Sequence, residues 1–201
     1  MKTMKAMKAM KTIKFLSILA IAAVSFNSCS SDDDAPEPIN EEEVITTMTV
    51  TLVPEGGGQT VTFQTRDLDG DGPNPPIITY TPSANLMANT TYTGSIELLN
   101  ELEDPAEDIT EEVAEEDDEH QFFFIQTGTN QAQITYLDDD ADGNPVGLSF
   151  SLTTGDVSNN TLTVILRHEP NKNGAGVSEG NIANAGGDTD IETTFMYAVI
   201  N

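Results

Sequence analysis

Apolar and polar residues alternate through most of the chain after residue 43. In TTMTVTLV, residues 46–53, the side chains of Met48, Val50 and Leu52 fall on one face and threonines fall on the other. A period of two is typical of a strand with one buried face. The same pattern recurs in seven further segments: TVTFQT, IITYT, TYTGSIELL, QAQITYL, GLSFSLTT, TLTVILRH and TTFMYAVI.

QFFFIQT, residues 121–127, is apolar on both faces and predicts a central strand that is buried on both sides. Together these segments predict about nine strands, with turn residues between most of them. No region alternates strands and helices as a parallel sheet requires. We therefore predict an all-β fold, an antiparallel β-sandwich of the Ig-like or Greek-key kind.

The acidic segment EDPAEDITEEVAEEDDEH interrupts the strand pattern. Asp104 followed by Pro105 and Glu107 is typical of a capped helix start, and Ile109 and Val113 lie one helical turn apart. The pattern predicts a short helix over residues 105–117 in a connection between two strands. A disordered acidic loop is the alternative, because like charges four residues apart destabilise a helix.

The N-terminal residues 1–28 have the layout of a secretory signal, with five lysines before the apolar run FLSILAIAAVSF. The same pattern is complete if translation begins at Met10 rather than Met1. Cys29, the single cysteine, follows this run and resembles the acylated cysteine of bacterial lipoproteins, and the acidic CSSDDD resembles the surface-transport signal of Bacteroidetes lipoproteins. We expect a lipid anchor at Cys29, an acidic tether over residues 29–43 and one domain over residues 44–201.

Charge limits the range of partners. Removal of residues 1–28 leaves 34 acidic and three basic residues, so the net charge is 3 − 34 = −31. Nucleic acid and anionic lipid are repelled by such a surface, whereas cations and basic ligands are attracted to it. The charge is equally compatible with a role in solubility alone.

Two loops share a carboxylate spacing that is typical of calcium ligands. DLDGDG and DDDADG place aspartates at positions 1, 3 and 5 and glycine at position 6. Position 12 holds Ile78 or Ser149 instead of glutamate, so neither loop is an EF-hand. A calcium site in a strand-to-strand loop and an ordinary turn remain the two alternatives. The candidate ligands are Asp67, Asp69, Asp71, Asp138, Asp140 and Asp142.

Both histidines lie beside acids at predicted strand ends, as Glu119-His120 and His168-Glu169. If those strands are neighbours, the imidazoles and carboxylates converge on a zinc or copper site. Two exposed histidines at polar strand ends are the alternative.

Residues 170–190, PNKNGAGVSEGNIANAGGDTD, predict a long loop, which either binds a partner or is mobile without a function. No sequence motif of a known catalytic site occurs, and we expect a protein that is not an enzyme.

Seven stretches together resemble a group of uncharacterised flavobacterial lipoproteins: INEEEVITTMTVTL, DLDGDG, NTTYTGSIELLNE, PAEDITEEV, EHQFFF, LRHEPNK and AGGDTDIE. Some members carry the label "type 1 periplasmic binding fold superfamily protein". The resemblance implies an outer-membrane lipoprotein, on the periplasmic or the cell-surface side, and it brings no catalytic or ligand residues. The label implies a two-lobed α/β structure, whereas the alternation here predicts a β-sandwich.

Two functional hypotheses follow. The first is a membrane-anchored binding module that captures divalent cations, calcium or zinc, or a small ligand for an uptake system. The second is a structural or adhesive surface module that binds protein or glycan. Convergence of His120, His168 and nearby acids favours the first hypothesis, and an exposed apolar patch near residues 170–190 favours the second.

Overall fold

A computed structural model describes residues 43–70 and 72–201 of the chain. The predicted signal over residues 1–28, the choice between Met1 and Met10, the lipidation at Cys29, residues 30–42 of the tether and Asp71 lie outside the described residues. Among the described helices, none has the length and apolar character needed to cross a membrane.

The described chain forms eleven strands and one α-helix. Seven of the strands and the helix belong to the first half: β1 Thr47–Pro54, β2 Val61–Arg66, β3 Ile77–Thr81, β4 Asn85–Met87, β5 Thr91–Asn100, β6 Glu107–Asp108, α1 Ile109–Glu115 and β7 His120–Gly128. The second half adds β8 Gln133–Tyr136, β9 Ser149–Thr153, β10 Ser158–His168 and β11 Asp188–Ile200, with a single 3-10 turn at Ile182–Asn184. All nine segments predicted to be strands form strands. The two additional strands, β4 and β6, have only three and two residues, too few for a period to be detected.

The strands form two sheets that pack as a sandwich, so the predicted all-β, antiparallel fold is confirmed. The larger sheet has seven strands in the order β3-β2-β1-β5-β9-β8, with β6 paired to β5. The smaller sheet has four strands in the order β4-β11-β10-β7. Among the pairs in the described chain, only β4 and β11 run parallel.

The main core lies where the alternating apolar faces of the two sheets meet. Met48, Val50 and Leu52 of β1 are fully buried, and Phe122 and Phe195 of the smaller sheet belong to the same cluster. Burial of each large apolar side chain stabilises the fold by about 1.5–3 kcal/mol. The core therefore supplies the stability that the sequence, with its single cysteine, does not obtain from disulfides.

The prediction that QFFFIQT is a central strand is wrong, because β7 lies at the edge of the smaller sheet. Its first four residues are nevertheless buried on both faces. The outward-facing side chain of Phe123 packs with Ile165, Val177 and Ala185 in a second apolar cluster. Residues 171–187, hereafter the cover, thus pack on the outer face of this edge strand and bury it. The apolar pattern on both faces of β7 results from this packing.

The acidic helix is shorter than predicted and spans Ile109–Glu115. Glu107 and Asp108 pair with the end of β5, so the helix cannot begin near Pro105 as expected. Asp108 caps it by accepting a hydrogen bond from the Thr110 backbone N–H. Ile109 and Val113, which lie one helical turn apart, are both buried.

Candidate metal centre

The two histidines face each other across neighbouring strands. His120 opens β7 and His168 closes β10, and the antiparallel register makes them direct partners. Their ring centroids lie 4.7 Å apart, and both residues are buried in spite of their polar rings. Cross-strand partners share a face of the sheet, which explains the approach of the imidazoles.

A β-bulge brings Asp190 to the same place. Leu166 of β10 pairs with Ile191 of β11, but the next residue, Arg167, pairs with Thr189, so Asp190 is an extra residue in β11. Bulges redirect side chains, and they are frequent next to functional sites. The carboxylate of Asp190 is fully buried, with Oδ1 3.6 Å from His168 Nδ1 and Oδ2 3.8 Å from His120 Nε2.

The fourth member of the cluster is Glu43, from the segment that leads into β1. Its Oε1 atom lies 3.0 Å from His120 Nε2 and its Oε2 atom lies 3.3 Å from His168 Nδ1. We assigned this residue to the tether, but its side chain is only 7% exposed and belongs to the folded domain. Since β1 is part of the larger sheet and the other three residues are on the smaller sheet, the cluster connects the two sheets.

Glu43, His120, His168 and Asp190, hereafter the inner cluster, each offer one ligand atom, and these four atoms lie within 4.8 Å of one another. The contact of His120 Nε2 with Glu43 is short but not aligned as a hydrogen bond, and Glu43 Oε2 has no hydrogen-bond partner. Buried polar atoms are normally hydrogen-bonded, so this arrangement requires a physical explanation.

A polar group faces the second ring nitrogen of each imidazole. His120 Nδ1 lies 3.1 Å from the backbone carbonyl of Glu116, which can only accept, so Nδ1 carries the proton. In a neutral ring, Nε2 then presents its lone pair to the inner cluster. His168 Nε2 faces the Glu119 carboxylate at 4.0 Å. Carbonyl and carboxylate partners of this kind orient metal-ligating histidines.

Electrostatics within the inner cluster favour the ionised forms of Glu43 and His120. Burial opposes ionisation of Glu43, but its contacts with His120 and its own backbone N–H, together with the charges of His120 and His168, hold the pKa of this carboxyl below its ordinary value. Burial likewise opposes protonation of His120, yet Glu43, the Glu116 carbonyl and Asp190 raise its pKa overall. The carboxylates therefore stabilise a positive charge at the His120 ring, where a metal ion would compete with a proton.

Four residues were predicted from the sequence to be ligands of a transition metal. The structure places only two of them, His120 and His168, in the inner cluster. Glu119 and Glu169 form a second group with His168, in which three ligand atoms again lie within 4.8 Å of one another. Glu169 is exposed, whereas His168 is buried and belongs to both groups.

An open cleft of about 810 Å³ adjoins the inner cluster. Glu43 and Asp190 line it, and so do the acidic residues Asp67, Asp69 and Glu192. The cleft thus connects the buried carboxylates with solvent through an acidic surface, which attracts cations.

The first predicted calcium loop forms an exposed turn. Asp67 accepts a hydrogen bond from the Asp69 backbone N–H, and Asp69 accepts one from the Asn74 side chain at 2.7 Å. Its third candidate, Asp71, lies outside the described residues. Within the described part of this loop, the carboxylates do not converge on a common point.

The second predicted calcium loop uses its carboxylates within the protein. Asp138 accepts hydrogen bonds from the backbone N–H groups of Gly147 and Ser149. Asp140 accepts from Asp142 and Asn144 and forms a buried ion pair with Lys172 at 3.1 Å. Among the described residues, the carboxylates of Asp138, Asp140 and Asp142 belong to no cluster of candidate ligand atoms.

Sequence reasoning did not identify Glu43 and Asp190. Each lies in a short acidic run, INEEE or GGDTD, where nothing distinguishes one acid from its neighbours. The bulge that selects Asp190 depends on strand register, which is not visible in a single sequence.

Comparison with family models, curated proteins and solved structures found no match to this chain.

Proposed function

We propose that the domain binds one divalent transition-metal ion, with zinc as the reference ion, through the four residues of the inner cluster. A membrane-anchored lipoprotein that captures such ions for an uptake system is the role that we propose for the whole chain. The observation that carries the proposal is the convergence of two imidazoles and two carboxylates, each from a different part of the fold, within 4.8 Å.

Ligand separations support tetrahedral coordination. Metal-ligand bonds of about 2.0–2.1 Å give a regular tetrahedron with edges of about 3.3–3.4 Å. Each carboxylate faces His120 with one oxygen and His168 with the other, at 3.0 and 3.3 Å for Glu43 and at 3.8 and 3.6 Å for Asp190, which is close to that edge length. Small side-chain rotations would bring the atoms to equal distances from a central ion.

The ligand types favour a transition metal over calcium or magnesium. Calcium and magnesium prefer oxygen ligands in larger coordination shells, whereas imidazole nitrogen suits zinc, copper, nickel and iron. Two carboxylates also neutralise the charge of one divalent ion. A bound ion would explain why Glu43 Oε2 and His120 Nε2 are buried without aligned hydrogen bonds.

The alternative hypothesis, an adhesive surface module, has less support. It predicted an exposed apolar patch near residues 170–190, but none of the large exposed hydrophobic side chains of the described chain falls there. Val177 and Ala185 from this stretch are buried against the sheet instead.

Calorimetric titration of the full chain, purified in mild detergent and stripped of metal, tests the proposal. We expect saturable zinc binding, with little saturable heat from calcium at the same ionic strength. Zinc at about 100 times its Kd should also stabilise the fold by about 2.7 kcal/mol and raise Tm.

Two variants with the same change in charge provide the matched comparison. Asp190→Asn removes a proposed ligand and should weaken zinc binding by about tenfold or more. Asp188→Asn alters an exposed residue of the same strand, and it should bind zinc as the parent does. Equal zinc affinity in both variants, or the absence of saturable binding in the parent chain, would contradict the proposal.

A further inference from the structure

His168 presents its two ring nitrogens to two different sets of carboxylates. Nδ1 faces Glu43 Oε2 at 3.3 Å and Asp190 Oδ1 at 3.6 Å, within the inner cluster. Nε2, on the opposite edge of the ring, faces Glu119 Oε2 at 4.0 Å. A single buried imidazole therefore lies between two pairs of acids.

The second group consists of Glu119, Glu169 and His168, hereafter the outer cluster. Its ligand atoms lie within 4.8 Å of one another. Glu169 has a φ of 48°, in the left-handed region that non-glycine residues seldom adopt. Its backbone N–H donates to the Glu119 carbonyl at 2.7 Å, so the backbones of the two glutamates are held together.

The arrangement of charge matches two ions rather than one. Glu43 and Asp190 balance one divalent ion in the inner cluster, and this leaves Glu119 and Glu169 as a second pair of carboxylates beside the same ring. A second divalent ion balances that pair, and it reduces the repulsion between the two acids. Because Glu119 is 44% exposed, the outer position is accessible from solvent without passage through the inner cluster.

We propose that His168 bridges two divalent transition-metal ions, the second of which is held by its Nε2 atom and by the carboxylates of Glu119 and Glu169. This inference rests on the proposed function of the inner cluster. A neutral imidazole with the inner ion on Nδ1 carries its remaining proton on Nε2. Binding of the outer ion breaks that N–H bond, forms a metal-nitrogen bond and releases the proton to water.

The outer ion is bound more weakly than the inner ion. Three protein ligands hold it instead of four, and two of these are side chains with solvent contact, so water completes its coordination. The inference therefore predicts two binding steps, a tight step at the inner cluster and a weaker, exchangeable step at the outer cluster.

Zinc titration of the full chain provides the test, with Glu169→Gln as the variant and Glu179→Gln as its control. Glu179 is an exposed acid of the same loop that belongs to neither cluster. We expect two equivalents of zinc in the parent and in Glu179→Gln. In Glu169→Gln, we expect a second dissociation constant raised by about tenfold or more and a first one unchanged within about twofold.

Copper(II) gives an independent readout, because a bridging imidazolate couples two unpaired electrons. The electron paramagnetic resonance signal should grow with the first equivalent and decline with the second in the parent chain. In Glu169→Gln it should stay that of a single, uncoupled ion. Saturation at one equivalent in the parent would overturn the bridging inference and leave the inner site intact. An absence of saturable binding would overturn both proposals.

Discussion

At the scale of single residues, the geometry around His168 depends on Gly187, which precedes β11 and packs against the end of β10. Gly187 has a φ of 67°, and a Cβ atom at this position would lie 2.1 Å from the His168 carbonyl oxygen. Gly186 has a similar φ of 63°, but a Cβ atom there would meet nothing within 4 Å. Both glycines therefore have a left-handed backbone conformation, but only Gly187 packs closely against neighbouring backbone atoms.

We expect Gly187→Ala to weaken zinc binding and to lower stability by more than Gly186→Ala does. The control variant should cost about 1–2 kcal/mol, the usual penalty for an L-residue in the left-handed region. Gly187→Ala adds a clash that displaces the backbone of His168 and Glu169. Chemical denaturation and zinc titration of both variants would measure the two effects, and equal zinc affinities would show that the close approach is irrelevant to the site.

Glu101 provides a stability contribution that depends on pH. Arg66 donates to both of its carboxylate oxygens, Thr47 donates to one of them, and together they lower the pKa of Glu101 to about 2. The ordinary value is 4.5, so the unfolded chain binds more protons between these two pH values. The contribution of Glu101 is therefore complete above pH 4.5 and is lost as the pH falls toward 2.

Glu101→Gln should consequently be less stable than the parent at neutral pH, and this difference should diminish as the pH falls. The loss is small, because the pair is partly exposed and screened by water. Denaturant titrations of both proteins across the acid range measure it. A difference that stays constant with pH would contradict the assigned cause of the pKa shift.

At the scale of elements, the covering residues 171–187 are attached by a buried ion pair. Lys172 donates to Asp140 at 3.1 Å and also to the Asp117 carbonyl, and its side chain is only 4% exposed. The pair joins this cover to the loop after β8 and to the turn after α1. Removal of one partner leaves a buried charge without compensation.

We predict that Lys172→Met destabilises the fold by about 3 kcal/mol. The double variant Lys172→Met/Asp140→Asn should recover part of that loss, since neither charge then remains. Thermal and denaturant unfolding of the single and double variants provide the measurement. A double variant less stable than Lys172→Met would show that Asp140 acts through its backbone contacts rather than through the ion pair.

The apolar contacts of the cover provide a separate prediction. Val177 is fully buried against Phe123 and Ile165, and the buried side chain of Gln121 donates to its carbonyl at 2.9 Å. Val177→Ala should cost about 1–3 kcal/mol. Hydrogen exchange should accelerate first at Gly180 and Ala185, whose N–H groups bond within the cover. Acceleration that is uniform across β1 and β5 would instead indicate global unfolding.

The sequence was sufficient to predict nine strands, because burial of one face leaves a local alternation in eight segments and burial of both faces leaves an apolar run in the ninth. The sequence did not predict that β7 is an edge strand. Its second face is buried by residues some 50 positions later in the chain, as in the Phe123–Val177 contact, and this packing is not visible in the local pattern. The helix start was placed too early, since a two-residue pairing with β5 precedes it. In the candidate site, the histidines could be identified because the chain has only two of them. Glu43 and Asp190 could not be distinguished from the other members of a set of 34 acidic residues.

At the scale of the whole molecule, the net charge of −26 opposes the compact state. Added salt screens repulsion over about 10 Å at 0.1 M, so it should stabilise the fold. We expect Tm to rise steadily as NaCl increases from about 0.02 to about 0.5 M. Scanning calorimetry in the presence of chelator separates this effect from metal binding. A Tm that is independent of salt would show that the acids are spaced too widely to repel each other.

The position of Glu43 has a mechanical consequence. Glu43 lies four positions before β1, and its carboxylate lies between two histidines of the opposite sheet. Tension applied from the N-terminal side therefore reaches Glu43 before it reaches β1. If the proposed ion were bound, coordination bonds to residues of β7, β10 and β11 would share that load with the hydrogen bonds of β1. The force needed to detach β1 from β2 and β5 would then be higher with the metal bound than without it.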